Sequence, residues 1–278
     1  MQEIKHTLLP NDCQLAYVRE GKGPTTIFIH GAMGDYRAWR PQWSTFTKHL
    51  DCISYSRRYS YPNENPLIGQ NHSALIDAED LLFLMDALNI ENAFLVGSSY
   101  GGFTALAAAV AAPDRVKALV SVEAPMMRYA YNTERGKQVA EAFLDAAARP
   151  AQKAFAAGDD KLGVLTLTSG IVGKPVEEIP DSVVERRMQN ARAARSLALS
   201  SDEFPLLEPE KLAALPMPVI LIRGADTAPI HQVIFSEVAK IMPQAQTLVV
   251  DNSGHSVSQQ QPEAFNAAVQ KFLAEVSH

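Results

Sequence analysis

Short apolar runs recur along this chain, separated by stretches of helical period. Six of them, Thr26–His30, Cys52–Tyr55, Ala93–Val96, Ala118–Val122, Val219–Ile222 and Thr247–Val250, are nearly unbroken in hydrophobicity. A strand that alternates apolar and polar residues hides one face; an unbroken apolar strand is buried on both. The pattern therefore predicts an α/β fold, a mostly parallel sheet with helices packed on each side. Ahead of these runs, Ile4–Leu9 and Gln14–Arg19 flank the turn-forming Pro10-Asn11-Asp12, which predicts an antiparallel hairpin. Helices are predicted over Ala74–Leu88 (Leu75, Ala78, Leu81, Leu82, Met85 and Leu88 on one face), Thr104–Ala112, Gln232–Ile241 and Pro262–Val276. Asn71 or Ser73 would cap the first of these.

The rhythm breaks once. From Pro125 to about Pro218 no core strand is predicted, only sequence rich in Ala, Arg and Glu with helices over Ala140–Ala148, Pro150–Ala157 and Ser182–Leu199. The chain thus divides into a core domain, residues 1–124 and 217–278, and a helical cap, residues 125–216. An insertion at that point would cover the carboxyl edge of the sheet, where open parallel sheets bind ligands. The plainer alternative is a second helical layer with no gating role.

The most informative stretch is Phe94-Leu95-Val96-Gly97-Ser98-Ser99-Tyr100-Gly101-Gly102. An apolar strand runs through Gly-x-Ser-x-Gly directly into a helix, the context of a nucleophile elbow. Ser99 would sit at the tip of a strained turn, with Gly97 and Gly101 leaving room that a side chain would fill. A serine hydroxyl needs a neighbouring base. His255 is the candidate, because Asn252-Ser253-Gly254-His255 follows the last apolar run and reaches the same sheet edge. His6, His49, His231 and His278 lack such a setting and are expected in solvent; His72 reads as a helix-start residue. The glycine turn His30-Gly31-Ala32-Met33-Gly34 follows another buried strand. The Ala32 amide (or that of Gly31), with the Tyr100 amide, would form an oxyanion hole, and His30 would hold the loop.

Together, His-Gly-x-x-Gly at 30–34, Gly-x-Ser-x-Gly-Gly at 97–102, Ser-Gly-His at 253–255 and Pro262-Glu263-Ala264-Phe265 resemble the α/β-hydrolase family over essentially the whole chain. The resemblance implies an eight-stranded sheet, a Ser/His/acid triad, acyl transfer through a covalent intermediate, and no cofactor or metal. The acid departs from the family's usual Gly-x-x-Asp. Gly224-Ala225-Asp226-Thr227 puts Thr227 in that slot and Asp226 one residue early. Some members take the acid from the end of the sixth strand, here Glu123. A carboxylate closing a buried strand is costly unless paired, and an imidazole would supply the pairing. Glu123 is therefore preferred, with Asp226 as the alternative.

Met33, Tyr100, Met126, Met127, Tyr129 and Tyr131 are the candidate pocket lining, suited to a hydrophobic ester or lactone. Arg57 and Arg58 follow a strand end and read as structural ion pairs more readily than as an anion site. Carbon–carbon bond hydrolases, cofactor-free haloperoxidases and small-molecule receptors of the same fold remain alternatives. Epoxide hydrolases and haloalkane dehalogenases do not, since their alkyl carbon needs a carboxylate nucleophile.

Composition narrows the class further. At 278 residues, 47% hydrophobic and 20% charged, the chain can bury a sizeable core. Its net charge of −6, without any dense Lys/Arg cluster, argues against a nucleic-acid partner. Cys13 and Cys52 have neither paired spacing nor metal-type neighbours and are expected to be reduced and buried. The amino-terminal residues carry no apolar leader, and no run approaches the roughly 20 apolar residues of a membrane span. The expectation is a cytoplasmic monomer or homodimer acting on a small molecule.

Overall fold

The computed structural model describes residues 3–276. Eight strands form one sheet: β1 (Lys5–Leu8), β2 (Gln14–Glu20), β3 (Thr25–Ile29), β4 (Asp51–Tyr55), β5 (Ala93–Ser98), β6 (Val116–Val122), β7 (Val219–Gly224) and β8 (Gln246–Val250). Their order is β1-β2-β4-β3-β5-β6-β7-β8. β1 and β2 form the expected hairpin, β2 joins β4 antiparallel, and all later pairings are parallel.

Both faces of the central strands are buried, which is why their sequence is apolar without alternation. Along β3, Ile27 and Ile29 turn to one side and Phe28 to the other. The first side packs against α2 (Ala74–Ala87) and α3 (Tyr100–Ala111) through Leu81, Leu84, Phe103 and Leu106. On the second, Phe28 meets Trp39 and, in α1 (Arg40–Phe46), Trp43 and Phe46 at ring separations of 5.3, 6.3 and 5.5 Å. Phe265, Val269 and Phe272 of the last helix, Pro262–Glu275, complete that layer.

Register sets the functional edge. Ile29 pairs with Gly97, Ser98 with Val122, and Val122 with Ile222. The residues just beyond β3, β5, β6 and β7 therefore emerge side by side: the His30 turn, Ser99, Glu123 and the Gly224–Thr227 loop.

The chain between β6 and β7 is helical throughout its regular structure. Its segments include Met127–Ala130, Glu134–Phe143, Arg149–Ala156, Asp160–Val172, Asp181–Met188, Ala191–Ala198 and Pro209–Ala213. Several expected boundaries change. Glu134 to Ala156 runs on without a break through a π-helical turn at Leu144–Ala148. The helix over Asp160–Val172 was not expected, and the one expected over Ser182–Leu199 is divided at Gln189-Asn190. Ala151, Phe155, Val164, Val184 and Ala194 give this insertion its own small core.

α2 also departs from expectation: Leu75 is exposed, whereas Asp77 and Asp80 are buried. Arg57 and Arg58 meet these carboxylates at 2.7 and 2.6 Å, so both arginines are committed to structural ion pairs. Ser73 occupies the cap position of α2 without a capping side-chain bond. Cys13 and Cys52 are buried and free, and burial pushes both thiols up to about 12. Among the described residues no helix is long and apolar enough to cross a membrane.

Candidate active site

Ser99 adopts φ +54° and ψ −122° between β5 and α3. A non-glycine residue persists in that region only where its surroundings enforce it. Here the Ser99 N–H donates to the Val122 carbonyl at 2.7 Å, and the Ser99 carbonyl accepts from Gly102 N–H at 2.8 Å. A Cβ on Gly97 would lie 2.2 Å from the Gly101 carbonyl oxygen, and one on Gly101 would lie 2.1 Å from that of Ile29. Only glycine allows strand, turn and neighbouring strand to approach so closely.

Glu123, immediately after the carbonyl that anchors Ser99, also has positive φ, +47°. That turn carries its side chain across β7 toward the β8 side of the edge. Glu123 Oε2 lies 2.6 Å from His255 Nδ1 and accepts from Thr227 Oγ1 at 2.8 Å; Oε1 accepts from Gly224 N–H at 2.8 Å. Burial alone would raise this carboxyl, but the His255 hydrogen bond and the amide donor prevail and hold it below the ordinary glutamate value. Asp226, the alternative acid, is exposed, and its N–H donates to the Ser253 carbonyl at 2.9 Å. Gly254 N–H meets Gln260 Oε1 at 2.8 Å, so the loop carrying His255 is pinned on both sides.

The His30 turn lies against the elbow: a Cβ on Gly31 would be 3.9 Å from Ser99 Oγ. His30 Nε2 accepts from Arg57 N–H at 3.0 Å, so its Nδ1 carries the proton donated to the Gly31 carbonyl at 2.8 Å. Burial and the nearby Arg57 charge push His30 down to about 3, and it stays neutral. Arg57 Nη2 donates to the Gly31 carbonyl at 3.2 Å and the Ala32 carbonyl at 3.1 Å. In a trans peptide C=O and N–H point oppositely, so this clamp turns the Ala32 N–H away from Arg57. Tyr100 opens α3, and its N–H has no acceptor one turn earlier in the helix.

A cavity of about 710 Å³ opens between this edge and the helical insertion. Ala32, Ser99, Tyr100, Met127 and Tyr131 line it. Met33, Met126 and Tyr129, also expected in the lining, do not. Met33 packs against the insertion's core, Met126 is buried and lines a separate small cavity with Glu123, and Tyr129 is buried with its hydroxyl donating to the Leu207 carbonyl.

His231 also departs from its expected place. Expected in solvent, it is buried and lines the cavity. Its ring stacks on that of His255 at 4.1 Å and 30°. Its Nε2 sits 3.1 Å from the Ile171 carbonyl, and burial followed by the His255 charge pushes it down to about 3. No local pattern signals it; only its place in the first turn of the helix after β7 does. His6 and His49 are exposed as expected, His72 is buried 3.3 Å from Asp77, and His278 lies outside the described residues. Ligand atoms of Glu123, His231 and His255 lie within 4.8 Å of one another. Stacked imidazoles send their in-plane lone pairs side by side rather than toward one point. The cluster is therefore built for hydrogen bonding more than for metal ligation.

A sequence profile of the alpha/beta hydrolase fold matches residues 24–261. The putative carbamate hydrolase RutD of Enterobacter cloacae is 26% identical over 92% of this chain and 93% of its own. Carboxylesterase YbfK of Bacillus subtilis is 25% identical, covering 90% of this chain and 80% of its own. A thermophilic esterase from Thermogutta terrifontis superposes with a TM-score of 0.75 at 20% identity over 99% of both chains. With the profile spanning most of its length and the sheet order matching the fold, the chain belongs to the α/β-hydrolase family.

Proposed function

We propose that this protein is a serine hydrolase that cleaves a carboxylic ester or lactone of a hydrophobic small molecule through an acyl-enzyme on Ser99. The observation that carries this reading is the buried 2.6 Å contact between Glu123 and His255, beside a strained serine that opens onto a large, mostly apolar cavity. A buried carboxylate held to Nδ1 fixes the imidazole tautomer that leaves Nε2 free to accept a proton.

The steps follow from these roles. Ser99 Oγ bonds to the acyl carbon as its proton passes to His255 Nε2. The Ala32 and Tyr100 amides receive the oxyanion that forms, and Glu123 stabilises the imidazolium. Collapse breaks the bond to the leaving alkoxide, which takes the proton from His255. Water then gives its proton to His255, attacks the acyl carbon, and releases the acid as Ser99 regains its hydrogen. The helical insertion, residues 125–216, serves as a cap that limits water and shapes the acyl site. Carboxylesterase YbfK, a relative over most of both chains, agrees with ester chemistry.

Hydrolysis of p-nitrophenyl esters of increasing acyl length by wild type and Ser99→Ala tests the reading. Turnover that depends on Ser99 is expected, with an optimum chain length set by the cavity. Ester turnover that survives Ser99→Ala would refute it.

A further inference from the structure

The cavity wall is apolar through Met127, Leu167, Ile171 and Phe204, but it also carries four charged residues, Arg128, Arg149, Asp202 and Glu203. Three of these are already paired. Arg128 meets Asp202 at 2.9 Å, and Arg149 holds Glu141 at 2.8 Å as well as Asp145. The Glu203 carboxylate has no hydrogen-bonding or ionic partner among the described residues.

Its position is nevertheless fixed. The Glu203 carbonyl accepts from Ala74 N–H at 3.0 Å, which anchors the segment to the start of α2. The next side chain, Phe204, is wedged against Tyr100 and Phe103 at 5.5 and 5.3 Å between ring centres. Glu203 is therefore held at the wall beside the residue that follows Ser99. Burial, reinforced by the Asp202 charge, pushes its carboxyl up to about 7. Glu203 is half-buried, and a carboxylate drawn partly out of water without a partner carries a cost that a cation relieves.

We infer that Glu203 selects esters bearing a basic amine, receiving the ammonium group in the wall of the Ser99 cavity; the inference rests on the serine-hydrolase reading above. The aromatic rings of Phe204 and Tyr131, which also line the cavity, favour a cation as well. Arg128 would oppose one, but Asp202 offsets its charge. A substrate carboxylate or phosphate in this place would face Glu203 unfavourably.

The test compares phenyl 5-(dimethylamino)pentanoate with its uncharged isostere, phenyl 6-methylheptanoate, in wild type and Glu203→Gln. The readout is the ratio of kcat/KM for the two esters, in which a general fault of folding or chemistry cancels. Wild type should favour the amine by about tenfold, as expected for a hydrogen bond to a charged group, and Glu203→Gln should bring the ratio near unity. An unchanged ratio in Glu203→Gln, or no wild-type preference, would overturn the inference. Calorimetric binding of the same two esters to Ser99→Ala and to Ser99→Ala/Glu203→Gln separates this outcome from failure of the reaction assignment. If neither ester is turned over yet the amine binds about tenfold tighter only when Glu203 is present, the selectivity stands and the hydrolase reading falls. Equal binding of both esters overturns the selectivity.

Discussion

Glu123→Gln exchanges one oxygen for an amide of nearly the same size, and the structure dictates how badly that fits. One carboxylate oxygen serves two donors, His255 Nδ1–H at 2.6 Å and Thr227 Oγ1–H at 2.8 Å; the other serves Gly224 N–H at 2.8 Å. Turned toward Gly224, the new amide places donor against donor. Turned toward His255, it forces the proton from Nδ1 to Nε2, and the imidazole can no longer accept from Ser99. Either orientation also removes the charge that stabilises the imidazolium. The same acid-to-amide change in serine proteases costs about 10⁴ in kcat, equivalent to about 5.5 kcal/mol of transition-state stabilisation. Steady-state p-nitrophenyl ester hydrolysis should show a loss of that order for Glu123→Gln, with Asp226→Asn within about threefold of wild type. Circular dichroism of each variant would establish that it folds. A Glu123→Gln enzyme keeping more than about a tenth of wild-type kcat, or one outperforming Asp226→Asn, would refute the assignment of the acid.

Other expectations concern stability and positioning. Gly101→Ala would press a methyl within 2.1 Å of the Ile29 carbonyl, a clash at the upper end of overpacking costs, about 3 kcal/mol; thermal unfolding should show a Tm lowered by roughly 6–12 °C. Arg57→Met would leave Asp77 buried without its principal partner and release the Gly31 and Ala32 carbonyls. Urea unfolding should report about 3–5 kcal/mol lost, and kcat should fall by a larger factor than KM rises. His30 and His231 stay neutral in the fold, each with a pKa of about 3, whereas unfolded histidine titrates near 6.5. Between these limits the unfolded chain binds protons that the folded chain refuses. The contribution of these two histidines to stability is therefore fully present above pH 6.5 and declines as pH falls toward 3. Replacing His231 by Gln should flatten that decline by up to about 1.4 kcal/mol per pH unit, read from urea midpoints between pH 4 and 6.

The strands and the elbow were legible because their signals are local. Burial on both faces makes β3, β5 and β6 continuously apolar, and a turn as tight as that at Ser99 excludes side chains at Gly97 and Gly101. The insertion was harder to read because its helices pack through small and polar residues. The helix over Asp160–Val172 buries Gly163, Val164, Thr166 and Thr168, a set without amphipathic contrast. Its Gly170 has the Ala147 Cβ 2.1 Å from where its own would be, so glycine there permits close helix contact rather than a break. The division at Asn190 is tertiary in origin: that side chain donates to Asp35 at 2.9 Å and accepts from Tyr61 N–H at 2.8 Å. The paired arginines were visible in sequence, but their buried partners Asp77 and Asp80 were hidden within a helix that otherwise reads as apolar.

In the proposed triad, an acid relocated to the end of β6 accounts for three features that are odd when taken singly. An acid on β7 would reach His255 from the adjoining loop; one at the end of β6 must cross β7. The longer glutamate side chain and the positive φ at Glu123 supply that reach. The vacated slot on β7 then lies beside the carboxylate, where a second acid would repel it. Thr227 instead turns a hydroxyl donor onto Glu123 Oε2. The charge so placed deep in the edge would favour protonation of any nearby imidazole, and His231 stacks directly on His255. Its burial and the neighbouring His255 charge keep it neutral against the pull of Glu123 and of the Ile171 carbonyl, so that in the proposed cycle proton transfer from Ser99 falls to His255 alone. An aspartate at 227 would therefore add a buried like charge rather than restore the family's usual triad. Only a double exchange that also removes the Glu123 carboxylate could move the acid back.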